Sequence, residues 1–178
     1  MTQGAKAGVL AGEPFSHSVH CSNPSSLYSS WMHEEIRRLF KAGRFRPACS
    51  SEMIAKAELL LGCSLPASLK ELYFHYDGFR EPLGNAQYLY PLLESDDGGS
   101  SLVQMTLFYR KEHSPPPDFS NTVFFGSSGG DECWGMGLTI DSPIIAYHHH
   151  MEDEYKIAGK NLIEVYLADQ KSYGIDEV

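Results

Sequence analysis

Residues 50–78 read SSEMIAKAELLLGCSLPASLKELYFHYDG, and their punctuation restricts the fold more than any other part of the chain. Ser50 or Ser51 is placed to cap a helix. Ile54, Ala57 and Leu61 recur at helical spacing to give it an inner stripe, and Gly62 supplies a stop that a side chain would resist. Three residues later a second helix begins. Pro66 suits its first turn, where the missing N–H has no partner to lose. Leu69, Leu72, Tyr73 and Tyr76 recur on one face, and Gly78 provides a left-handed exit. Two short helices joined by a tight Gly–Leu–Pro corner must bury their stripes against something else, so a sheet or further helices are required.

The rest of the chain supplies both. SSLYSSWMHEEIRRLFKAGR puts Tyr28, Met32, Ile36, Leu39 and Phe40 on one helical face, with Ser25 or Ser26 as cap and Gly43 past the end. Residues 1–24 are rich in Gly, Ala, Ser, His and Pro without periodicity and read as a flexible arm. The expected organisation is therefore an arm over 1–24 and one folded domain over 25–178. After Gly78, QYLYPLL reads as a strand with Pro91 at an edge or bend. LVQMTLFYRKEH reads as a helix by its length and basic end. TVFFG and CWGMGL read as a hairpin joined by the glycine-rich SSGGDE, and PIIAYHH as the next strand. NLIEVYLADQKSYG closes the chain as a helix in which Asn161 and Glu164 have capping-box spacing.

Charge narrows the partners. Residues 1–90 carry nine Lys and Arg against eight Asp and Glu, whereas residues 91–178 carry five against fifteen. An acidic half repels nucleic acid and anionic lipid and draws basic partners in. No apolar run approaches the roughly 20 residues a membrane helix needs. The first residues are too weakly apolar for a secretory signal, so a cytoplasmic protein is expected. Cys21, Cys49, Cys63 and Cys133 show no C-x-x-C spacing and are expected as reduced thiols.

Candidate chemistry concentrates in PIIAYHHHMEDEYKIAG. On a strand His148 and His150 share one face and His149 takes the other. With Glu152, that pair would make the three ligands of a catalytic zinc, the basis for a metal-dependent hydrolase reading. H-E-x-x-H spacing is absent, so a polar strand end is the stronger reading. Cys133 follows two acids that disfavour a thiolate, which argues for a core cysteine rather than a nucleophile. GSSGGDE has the glycines of a phosphate loop but neither its Lys-Ser/Thr nor a following helix. No catalytic residue, metal or cofactor is expected.

The ordered set of signals resembles a SUKH superfamily (Smi/Knr-like) domain over about residues 50–173. AELLLGCSLPASLKELYFHYDGF is similar to its opening, through Leu61, Gly62, Leu65, Pro66, Leu69, Leu72, Tyr73, Asp77 and Gly78. Phe125, Gly126, Gly129, Gly130 and Asp131 resemble its glycine–aspartate hairpin, PIIAYHHHMEDE its last strand, and IAGKNLIEVYLAD its closing helix. The resemblance implies an α+β fold: a twisted, mostly antiparallel sheet with helices packed against it. It also implies a binding role without catalytic residues. Many bacterial members are immunity proteins that neutralise toxins of contact-dependent or secretion-system competition, and some eukaryotic members are regulatory interaction modules.

The expected function is thus a toxin antagonist. A regulatory scaffold on the same fold is the alternative, and a hydrolase built on His148 and His150 is a weaker third. The acidic half favours a basic toxin such as a nuclease. Its expected contacts are Glu94, Asp96 and Asp97 in one loop, Asp131 and Glu132 in the hairpin, and Glu152, Asp153 and Glu154 after the histidine strand.

Overall fold

Local chemistry between residues 50 and 78 acts as its residue types dictate. In the computed structural model, which describes residues 25–81, 86–94, 99–112, 118–129, 132–139, 141–148 and 155–172, helix α1 spans Ser25–Leu39 and α2 spans Ser51–Leu61. Ser50 is the α2 cap: its hydroxyl accepts the Met53 N–H at 3.3 Å. Gly62 ends the helix at φ 68°, donating its N–H to the carbonyls of the last turn. Helix α3 spans Ala67–His75, with Pro66 one place earlier than expected, at the cap rather than in the first turn. Glu58 then ties the corner together by accepting the Leu65 N–H at 2.8 Å and pairing with Lys70 at 2.7 Å.

Two antiparallel sheets follow. A minimal one pairs β1 (Arg44–Phe45) with β2 (Phe79–Arg80). Helix α4 spans Leu102–Glu112. The main sheet is a meander in the order β3 (Thr122–Ser127), β4 (Glu132–Gly137), β5 (Ile144–His148) and β6 (Tyr155–Gly159), and α5 spans Leu162–Ser172. The hairpin, the helix over 102–112 and the closing helix match the sequence reading. The Asn161–Glu164 box is formed, with the Glu164 N–H on Asn161 Oδ1 at 3.0 Å and the Lys160 N–H on Glu164 Oε2 at 2.9 Å. Tyr173 and Gly174, expected at its end, lie outside the described residues.

Two expectations are corrected. YKIAG is a strand, so β5 is not the last one. It escapes a period-2 reading because its two largest apolar residues, Tyr155 and Ile157, are exposed rather than buried. QYLYPLL is not a strand, although Phe79 and Leu89 form a single bridge. Most of its residues are buried, and side chains from distant helices satisfy its backbone. Tyr73 Oη donates to the Tyr90 carbonyl and Tyr166 Oη to the Tyr88 carbonyl, both at 2.8 Å. Along β3 the Tyr90 N–H meets the Phe125 carbonyl at 2.7 Å and the Ser127 N–H meets the Gln87 carbonyl at 2.8 Å. The approach is close enough to require glycine at two places. A Cβ on Gly78, already at φ 91°, would lie 2.8 Å from the Leu89 carbonyl oxygen, and one on Gly126 would strike that of Tyr88.

Strands β3, β4 and β5 are buried on both faces. Val123, Phe125, Trp134, Met136, Ile144 and Ala146 join the main core with α1, α2, α3 and α5. On the other face Phe124, Cys133 and Tyr147 pack with Tyr109 of α4 and with Phe119. Thr106 is fully buried there because its hydroxyl accepts the Phe124 N–H at 2.9 Å. Helices and antiparallel strands around one main core make an α+β fold.

Candidate functional site

Pairing register decides which loops meet. Ser127 pairs with Cys133, Glu132 with His148, and Tyr147 with Tyr155. In an antiparallel meander the β3–β4 turn and the β5–β6 connection therefore open at the same end of the sheet, while the β4–β5 connection lies at the other. Glu132 and His148 share the face that carries Trp134 and Ala146, and Lys156, opposite Ala146, extends to an ion pair with Glu132.

Helix α5 adds a carboxylate to this end. Asp169 is half-buried and accepts the Tyr88 hydroxyl at 2.8 Å. Burial raises its pKa above the ordinary carboxylate value; the Tyr88 hydrogen bond opposes that, and the charges of Glu132 and Glu81 add to it. Asp169 therefore feels the charges of two carboxylates, Glu132 and Glu81, that come from segments far apart in sequence. The sequence reading missed Asp169. The signal was available, since Leu162, Val165, Tyr166 and Asp169 follow one helical stripe.

Of the residues expected at a partner surface, Glu132 stands at this sheet end, half-buried and paired. Glu94 is exposed, two residues beyond the Leu92 backbone that Asp77 holds. Among the described residues no hydrogen bond or ion pair joins Glu94 to Glu132. Asp96, Asp97, Asp131, Glu152, Asp153 and Glu154 lie outside the described residues, as do His149 and His150.

Other candidate groups have structural employment. Cys133 is buried, with the Tyr109 hydroxyl 3.2 Å and the Tyr90 hydroxyl 3.6 Å from its sulfur. Among the described residues no group of three His, Cys, Asp or Glu side chains is arranged to hold a metal. No described helix is long and apolar enough to cross a membrane. Asp77, the acid before Gly78, is buried at 6% exposure. It accepts from the Leu92 N–H and the Cys49 thiol and faces Arg46 at 3.7 Å. It is a bracket rather than a reactive group.

On the opposite face of the same sheet end, Tyr155 and Ile157 of β6 are 51% and 68% exposed. Tyr155 lies 6.2 Å from the Phe119 ring, and Ile157 lies across from Ile145. The end of the sheet thus offers carboxylates on one face and an apolar pair on the other, the mix of polar rim and aromatic contact common at protein interfaces.

Residues 48–166 match the SMI1 / KNR4 family (SUKH-1). The chain belongs to this family. The matched region begins just before the Ser50 cap and ends at Tyr166, so it takes in the α2–α3 corner, the Asp77–Gly78 bracket and the whole four-stranded sheet, and leaves α1 ahead of it. No curated protein sequence matches the chain. SUKH-1 membership accords with a binding role of the immunity or regulatory kind.

Proposed function

We propose that this SUKH-1 protein is a non-enzymatic immunity protein that binds and neutralises a cognate toxin. The observation that carries the reading is the family match over residues 48–166. The partner is a basic toxin, such as a nuclease, of a contact-dependent or secretion-system competition pathway. An excess of fifteen acidic over five basic residues in the second half supports a basic partner, since opposite charge speeds encounter and disfavours wrong partners. The binding surface is the acidic sheet end, with Glu132 at its described margin, Asp131 next to Glu132 in sequence, and Glu152, Asp153 and Glu154 directly before β6 in sequence. Glu94, Asp96 and Asp97 provide a second acidic stretch.

The test is co-expression with a candidate basic toxin. Survival of cells carrying both, and death of cells carrying the toxin alone, is the expected result. Binding to a housekeeping protein with no toxin antagonism would replace this reading by that of a regulatory interaction module on the same fold.

A further inference from the structure

The His33 ring on α1 and the His75 ring on α3 lie flat against each other, with centroids 3.5 Å apart and planes 8° from parallel. His33 Nδ1 is buried and has no hydrogen-bond partner among the described residues. His75 Nε2 lies 3.4 Å from the Glu71 carboxylate one turn earlier on α3. From these contacts we propose that the His33–His75 stack is an acid-sensitive clasp that holds the N-terminal half of α1 against the domain.

Protonation of His33 disfavours the stack. It sets a cationic ring against His75, whose charge opposes it. It also makes both ring nitrogens donors, so the buried Nδ1 is then an N–H with no acceptor among the described residues. Four charged or titratable groups act on His33: Glu34 and Arg37 from α1, and Glu71 and His75 from α3. The two glutamates favour its protonation; His75 and Arg37 oppose it. Burial, followed by the charge of His75, holds the His33 pKa below its ordinary value of 6.5.

The release is local, because the two halves of α1 are held differently. Ile36 and Phe40 are buried, and the Phe40 ring packs 4.5 Å from Tyr88 and 5.2 Å from Phe79. Arg37 lies over the Phe45 ring at 4.6 Å. These contacts carry no titratable histidine and fasten the C-terminal half at any pH in this range. Ahead of His33 on the helix stands Trp31, 46% exposed. Met32 beside it also packs on the main core, so the clasp sets how firmly this part of α1, an element outside the family-matched region, is docked.

The direction follows from linkage. A freed His33 regains its ordinary pKa and binds protons more readily than the stacked one, so docking weakens as pH falls below 6.5. With one proton linked, the opening equilibrium rises by up to about tenfold per pH unit until the lowered pKa of the stacked ring is passed.

Backbone hydrogen exchange on the full chain tests this between pH about 7.5 and about 5.5, the span in which histidines titrate. Rates are corrected for the intrinsic pH dependence of exchange. Protection of the α1 amides ahead of Ile36 is expected to fall several-fold relative to the β3–β4 hairpin. His33→Phe keeps a ring in the stack and removes the titrating group, so it should make α1 protection independent of pH; His75→Phe keeps the ring and removes the second charge but leaves burial acting on His33, so it should reduce the fall without abolishing it. An equal fall in helix and hairpin, or an unchanged fall in a folded phenylalanine variant, would overturn the proposal. Should one variant fail to fold, the other decides.

Discussion

Asp77 Oδ1 accepts the backbone N–H of Leu92 at 2.7 Å across 15 residues of chain. The same oxygen receives the Cys49 thiol at 3.2 Å. Burial, and then the adjacent carboxylate, push the Cys49 thiol pKa up, so it remains a protonated donor. One carboxylate thus joins the segment before α2, the exit of α3 and the buried segment that lines β3.

Truncating this bracket leaves a buried N–H and a thiol without acceptors. Asp77→Ala is expected to lower unfolding free energy by roughly 2–5 kcal/mol, the range for breaking a buried charged hydrogen-bond set. Asp77→Asn keeps an oxygen for the Leu92 N–H and should lose clearly less. Urea unfolding of both variants checks the order. Equal losses would mean that the Arg46 ion pair, not the hydrogen bonds, carries the contribution.

Leu72 tests the packing of α3. It has no exposed surface and lies in the main core. Leu72→Ala should cost about 2–5 kcal/mol, the range for buried leucine truncation. Leu59, on the neighbouring helix, is 81% exposed. Leu59→Ala should stay within about 0.5 kcal/mol, as surface substitutions do. The two urea midpoints should separate accordingly.

How far the sequence carried this fold depended on the distance over which each signal acts. Ser50, Gly62 and the Asn161–Glu164 pair cap their own helices within three or four residues, so those ends could be placed without the tertiary structure. The β3–β4 hairpin was visible for the same reason, through its glycine-rich turn. The segment 86–92 was misread because its partners, Tyr73 and Tyr166, are hydroxyl donors 17 and 78 residues away along the chain from the carbonyls they reach. Strand β6 was missed because burial does not sort its side chains: Tyr155, Lys156 and Ile157 are all exposed. Glu132 was legible as a hairpin carboxylate, whereas Asp169 comes near it only by the packing of α5.

Asp169 gives a pH test of that end. Its pKa is raised in the folded state, chiefly by burial, so the folded protein holds this proton more tightly than the unfolded chain does. Its ionisation therefore opposes folding, and the penalty grows as pH rises above the ordinary carboxylate range. Asp169→Asn keeps an acceptor for the Tyr88 hydroxyl without the charge. It should raise Tm at neutral pH by about 1–3 °C, the scale of a fraction of a kcal/mol in a domain of this size. The difference should vanish below pH about 4, where an ordinary aspartate is itself protonated. Thermal melts at both pH values decide. A loss of Tm at neutral pH would mean that the carboxylate stabilises the fold.

The proposed capture of a basic toxin by acidic residues at the sheet end is tested most directly by the association rate with the cognate toxin. The informative variant reverses Asp131, Glu152 and Asp153 to lysine and leaves Glu132 in its ion pair with Lys156. Wild-type association should slow as salt rises, because exposed charges are screened beyond roughly 8–10 Å near physiological ionic strength. The triple reversal should slow association on the order of tenfold or more at low salt, with the thermal melt nearly unchanged. A variant that associates as fast as the wild type and still protects cells would contradict the account, and would leave the acidic half as a solubilising face only.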